Sequence, residues 1–500
     1  MKKPKDTLFR LIASMSPAEK RYFKMYFSQP ESLLTQLFDL LNGMETYDEA
    51  LVKQRLPNDG KNLKVHKVQL IELLLKSLTV FHSKKDVRSK LRQGLEEVDI
   101  LMEKELYDIA ADRLGKLKKL GQRYEEYTYL IEIAGREVRL SFIHYDQHGR
   151  APRPFFEQMR VYIDSLVEQQ EFGELNRRVL EARRRKEWSE FSDSEHSYFQ
   201  ELSRSEVFRK NREPNSFRAK ASRLATLGGI FEIIEDVQGS LECRLQTVAL
   251  FDQHPEFAKH YPLEYLGSLR NLINHYIMHH QYATAQPYIL QGQQFAQQAR
   301  YSKEQLIFFY HAALHVAYCL GQFHTISTEL EQRIIARLEQ HGIATEKIAI
   351  VCYVYLAVNQ IIKQDFGRAL HYLRRLHEAN EELQQYFDEI YTIVEFIAHF
   401  ESKDHILLHN LIATKARRLG TSSDHISPFY FRLLQFFRKL NNKPFNASLI
   451  AQEFLLEMGK IKSDKVAAFF TYFRLDNWLK ALAERRPFSE YMLKPNKKNA

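Results

Sequence analysis

An aromatic residue followed three positions later by a small one marks a recurrent hinge in this chain, most clearly at Tyr107/Ala110, Tyr282/Ala285 and Phe366/Ala369. Phe323 and His405 hold the same place less well, and from Tyr282 to His405 these hinges recur about every 40 residues. A period of that size is what stacked helix pairs give, each pair burying its apolar face only against its neighbours. The small residue lets two helices approach closely while the aromatic ring fills the gap beside it. The chain has 500 residues, too many for one compact core, so an extended array or several domains must carry it. Glycine (18) and proline (14) are scarce, as expected for long helices joined by short turns.

Punctuation divides the rest. Ser16 reads as an N-cap, Pro17 as the first helical residue and Glu19 as the second half of a capping box. Further helices are expected over about Leu33 to Leu41, Tyr47 to Leu56 and Leu63 to His82, the last with Val65, Val68, Ile71, Leu74, Leu75 and Leu78 as a broad apolar face. These close an N-terminal helical domain over 1–90. A first helical-hairpin block follows over 91–210, in which Pro154 to about Phe191 reads as one long helix or two nearly collinear ones. A repeat array covers 211–440, capping helices 441–493 and a basic tail 494–500. Leu227-Gly228-Gly229 reads as a helix terminator.

One unit runs Tyr353, Leu356, Ala357, Phe366, Ala369 and Leu373, and another Leu269, Leu272, Tyr276, Tyr282, Ala285 and Ile289. Their order of large and small side chains resembles tetratricopeptide-type repeats with lengthened helices. The period exceeds that family's, its closing proline is missing, and Ile326 stands where the Phe323 unit should have alanine. In addition Ser16-Pro17-Ala18-Glu19-Lys20-Arg21-Tyr22-Phe23-Lys24, Leu73-Leu74-Leu75-Lys76-Ser77-Leu78 and the repeat at Tyr107 together look like a family of bacterial helical-repeat proteins without assigned function. The resemblance implies an all-α fold, an α-solenoid of stacked helical hairpins preceded by a small N-terminal helical domain. It leaves the role open.

For function, motifs of catalysis are missing from the sequence: no Gly-x-Ser-x-Gly elbow, no phosphate loop and no Cys-x-x-Cys. No cofactor is called for. Cys243, Cys319 and Cys352 are odd in number and widely separated, which fits a reducing cytoplasm and no disulfide framework. No apolar run is long enough for a membrane span. Histidine pairs at i,i+4, His144/His148, His275/His279, His311/His315 and His405/His409, share helix faces but lack further ligands at a convincing spacing, so no metal site is assigned.

A formal charge of +9 is small against 72 basic and 63 acidic side chains. Two clusters nevertheless qualify as partner-binding candidates. Lys20, Arg21, Tyr22, Phe23 and Lys24 mix basic and aromatic side chains on one helix. Arg177, Arg178, Arg184 and Arg185 precede Trp188 on another, where phosphate contact and stacking are both chemically reasonable. Against that, Glu174, Glu181, Glu187 and Glu190 are spaced to pair with those arginines along a solvated helix. The sequence thus reads as a non-catalytic scaffold or adaptor, binding a protein or peptide on the concave face of its array. The alternative is a nucleic-acid-associated or regulatory protein using the basic helices. The oligomeric state is left open.

Overall fold

A computed structural model describes residues 6–57, 62–83, 86–148, 153–186, 191–208, 213–298, 303–339, 347–375, 381–420, 428–458 and 475–492. Among them there is no strand, and the chain is all-α, built of helical hairpins packed in series as an α-solenoid behind a small N-terminal helical bundle. It divides into two compact units, Met1–Ile234 and Glu235–Ala500.

The first unit opens with α1 (Thr7–Ser14), α2 (Pro17–Phe27), α3 (Leu33–Asn42), α4 (Glu49–Arg55) and α5 (Leu63–Ser83). The capping box forms as read: the Ser16 hydroxyl accepts from the Glu19 N–H at 3.3 Å, and the Glu19 carboxylate accepts from the Ser16 N–H at 2.7 Å. The other Glu19 oxygen meets His82 Nε2 at 2.5 Å, tying α2 to the end of α5. Leu8, Ile12, Phe23, Phe38, Leu70 and Leu74 form the core of this bundle. The broad apolar face expected on α5 is narrower than its sequence suggests. Leu70, Leu74 and Ser77 face inward, whereas Val65, Val68 and Leu75 are exposed, because neighbours cover α5 on one side only.

A separate core of Leu91, Leu95, Leu114, Leu130 and Ile133 begins with α6 (Val87–Glu103), α7 (Tyr107–Arg123) and α8 (Tyr127–His148). The stretch after Pro154 is one helix, α9 (Arg153–Lys186), whose 34 residues span about 51 Å at the helical rise. α11 (Phe217–Ile233) lies along α9, and α10 (Asp193–Ser203) packs on α11. Gly228 and Gly229 do not terminate a helix; both are buried inside α11. A Cβ at Gly229 would stand 2.5 Å from Val179 Cγ1, so the glycine permits close passage of α11 over α9.

The second unit runs α12 (Val237–Gln253), α13 (Pro255–His260), α14 (Pro262–Met278), α15 (Tyr282–Gln298), α16 (Lys303–Leu320), α17 (Thr328–Leu338), α18 (Lys347–Ile362), α19 (Phe366–Arg374), α20 (Glu381–Glu401), α21 (His405–Gly420), α22 (Pro428–Asn442) and α23 (Ala447–Met458). Helices Leu475–Glu484 and Phe488–Met492 follow. Tyr282, Phe366 and His405 each begin a helix, as does Tyr107 in the first unit. Ala110, Ala285 and Ala369 are fully buried, and so are Leu356 and Ala357; Tyr353 is nearly so. The Phe323 hinge departs from the others. Phe323–Thr325 makes only a 3-10 turn, and Ser327 then caps α17, accepting from the Leu330 N–H at 3.1 Å.

One backbone device underlies these hinges. Two residues before each new element, Glu105, Glu125, His280, Gly321, Gln364 and Lys403 adopt left-handed φ values between 51° and 70°. The next residue's N–H then reaches back to the preceding helix, as in Leu106 to the Leu101 carbonyl and Asp365 to the Gln360 carbonyl, both at 2.9 Å. This Schellman geometry satisfies carbonyls that a helix end leaves without partners, and it turns the chain at a fixed angle into the next helix.

Candidate functional site

In the first unit, α9 and α10 bound an open cleft of about 640 Å³ lined by Arg178, Glu181, Arg184, Ser194, Glu195, Tyr198 and Phe199. α10 begins with a second capping box, Ser192 with Glu195, which fixes where its side chains emerge. Phe199 is buried as the cleft's apolar floor, while Tyr198 is 46% exposed beside it. The sequence reading overlooked this half of the site. Ser192-x-x-Glu195 was its available signal, since a capping box before Tyr198-Phe199 places two adjacent rings in the second turn.

The arginines of α9 are already engaged. Glu174 accepts from Arg177 at 2.8 Å and Arg178 at 3.0 Å, and Arg177 also pairs with Glu181. Hydrogen bonds from Arg177 and then Arg178 pull the Glu174 carboxyl down to about 2. Tyr198 of α10 lines the cleft together with Arg178 of α9. Arg183 turns away to Glu232 of α11 at 2.9 Å. Arg184 is exposed at the cleft. Trp188 and the Arg185 side chain lie outside the described residues. The cleft lining carries two arginines and two glutamates, and so presents no net field to a polyanion.

The N-terminal candidates do not form one surface. Phe23 is fully buried, its ring 4.8 Å from that of Phe38, and belongs to the core because α3 covers that side of α2. Tyr22 is half-buried against Phe81, ring centroids 5.1 Å apart, and Lys24 pairs with Asp39 at 2.6 Å. Lys20 is half-buried and Arg21 exposed.

Histidine rings do meet in the second unit without gathering ligands. His311 and His315 stack with centroids 6.2 Å apart, and His315 Nδ1 lies 2.7 Å from the Tyr355 hydroxyl. Among the described residues no three His, Cys, Asp or Glu side chains are placed to share a metal ion. The side chains of His144 and His148 lie outside the described residues.

Fold and site together define an all-α helical-repeat protein with a mixed-charge, aromatic-floored cleft. No family model matches the chain, and no curated protein matches its sequence.

Proposed function

We propose that this protein is a non-catalytic scaffold or adaptor whose helical hairpins bind a protein or peptide, with the α9–α10 cleft as a principal contact. The observation that carries this reading is the cleft's chemistry. An exposed tyrosine stands over a buried phenylalanine between balanced Arg and Glu side chains. Such a site offers apolar area and directional hydrogen bonds to a polypeptide, whereas a phosphate backbone is attracted by unpaired cations. Pairing of Arg177 and Arg178 with Glu174 favours the protein partner over nucleic acid. Cys243, Cys319 and Cys352 are buried and form no disulfide, in keeping with a reducing, cytoplasmic setting. No described helix is long and apolar enough to cross a membrane.

Affinity capture from native lysate at low and high salt, with and without nuclease, tests the proposal. The expected result is a defined protein that survives salt and nuclease and is lost with Tyr198→Ala or Arg178→Glu. RNA or DNA released at high salt would replace this reading with the polyanion alternative.

A further inference from the structure

The seam between α16 and α18 is built around one phenol. Tyr355 of α18 is 2% exposed, and its ring meets those of His311, His315 and Tyr318 on α16 at centroid distances of 6.0, 5.9 and 5.3 Å. Its hydroxyl lies 2.7 Å from His315 Nδ1, and Cys319 Sγ lies 3.6 Å from His315 Nε2. Both nitrogens of this buried imidazole are thus occupied, one as donor and one as acceptor, which is the pattern of the neutral ring. An imidazolium has two donors and needs acceptors at both places, where a thiol sulfur accepts only weakly. His311, one turn earlier, is half-buried and stacks on His315 with centroids 6.2 Å apart.

Among the described residues no carboxylate acts on either ring. From α14, Arg270 lies over the Phe308 ring of α16 at 4.9 Å, and His275 and His279 stack on each other; Glu264, the one acid of α14, sits back in its first turn. The α14–α15 turn brings His280, whose Nδ1 lies 2.9 Å from the Tyr282 hydroxyl, and the Tyr282 ring stands edge-on to His315 at 6.0 Å. α15 has no charged residue. On α17, Glu329 pairs with Arg333, and Glu331 is bound to Gln360 and Tyr372. On α18, Lys363 reaches the Ile326 carbonyl at 3.4 Å. Burial first, then Arg270 on His311, and His311 with His280 on His315, hold both imidazoles well below the ordinary histidine range.

We propose that the α16–α18 seam is an acid-opened joint, at which protons taken up by His311 and His315 part α16 from α18 while the hairpins on either side stay folded. What holds each side of α16 decides where the joint lies. α15 and α16 are interlocked: a Cβ at Gly292 would overlap the Phe309 ring, Gln286 Nε2 donates to Gln322 Oε1 at 2.6 Å, and Gln293 Nε2 donates to the Phe309 carbonyl at 3.3 Å. None of those groups titrates. The α18 side depends instead on the rings gathered at Tyr355. Beyond it α16 is followed only by the 3-10 turn Phe323–Thr325, where Tyr282 and Phe366 begin full helices. A hairpin in a solenoid contacts only its neighbours, so one seam opens without unfolding the rest. The joint is indifferent to which partner the α9–α10 cleft takes.

The chain's own thiols report the opening. Cys319 is buried in the seam, whereas Cys243 is buried in α12 of the same unit, away from it. Opening returns the rings from about 4 and about 3 to ordinary histidine titration near about 6.5, so each multiplies the opening constant by about 30 between about pH 7.5 and pH 5, and the pair by about 10³. The full chain is labelled with 4,4′-dithiodipyridine, which reacts with thiols in acid, and each rate is divided by that of the urea-unfolded chain at the same pH. Peptide mapping locates the label. The normalised Cys319 rate should rise by up to about 10³ on acidification while Cys243 holds, and His311→Gln/His315→Gln should cut the rise below about tenfold. A flat Cys319 rate, or Cys243 rising in step with it, would overturn the joint, as would an undiminished rise in the double variant. Should that variant expose Cys243 already at neutral pH, the two thiols of the unsubstituted chain decide between a local opening and none.

Discussion

Replacing Glu331 by alanine probes a buried polar contact of the second unit. Glu331 on α17 is 2% exposed, and its carboxylate accepts from Gln360 Nε2 of α18 at 2.8 Å to each oxygen and from the Tyr372 hydroxyl of α19 at 2.6 Å. Arg368 and Lys363 stand at 3.8 Å and 4.0 Å on the outer side. Truncation leaves the Gln360 amide and the Tyr372 hydroxyl buried without their acceptor, at about 1–3 kcal/mol each. Relief of the buried carboxylate offsets part of that, so the net loss is about 3–5 kcal/mol, the range for a broken buried charge contact. For a unit of this size that lowers the melting temperature by roughly 6–15 °C. The assay uses the chain's two tryptophans. In a Trp188→Phe background Trp478, fully buried beside the Phe437 ring at 5.6 Å, reports unfolding of the second unit alone. Tyr372→Phe closes a double-mutant cycle whose coupling should be about 1–3 kcal/mol. A loss below about 1 kcal/mol, or strict additivity with Tyr372→Phe, refutes the argument that this carboxylate clamps three helices.

Two further predictions concern the hinges and the buried imidazoles. Gln364 is exposed at φ 62°, where a side chain costs about 1–2 kcal/mol and glycine's added chain entropy returns about half of that, so Gln364→Gly should stabilise by about 0.5–1 kcal/mol in urea melts. Gly321→Ala, at φ 70°, should destabilise by a similar amount, and equal stabilities for all three chains would show that the left-handed turn is not strained. Burial, then Arg270, lowers the His311 imidazole to about 4; burial, then His311 and His280, lowers His315 to about 3. Both are neutral in the folded chain and bind protons on unfolding below pH 6.5. Stability is therefore full above that pH and falls as pH drops toward 4, by up to about 1.4 kcal/mol per pH unit for each histidine. The His311→Gln/His315→Gln chain should show a flatter dependence between pH 6.5 and 5, and parallel curves would count against the assignment.

Hinge positions were legible because they are local. Ser16-Pro17-x-Glu19 and Tyr282-x-x-Ala285 state where a helix starts and which side chain must be small, and neither depends on distant residues. The candidate site was half legible. Arg178 and Arg184 stand at the cleft, yet their meaning changed once Glu174 and Tyr198 were found beside them. A run of arginines has the same sequence whether it faces phosphate or carboxylate.

Local spacing by itself determined that this chain is an all-α stack of hairpins, since helical period, caps and the aromatic-to-small hinge act over a turn or two of backbone. Which face of each helix is covered was decided only in tertiary structure. Val65 and Leu75 became surface while Phe23 became core, Gly229 became a crossing point, and Glu331 acquired partners 29 and 41 residues away. The physical reason is that burial belongs to the neighbour as much as to the residue, and neighbours here are set by stacking across hairpins.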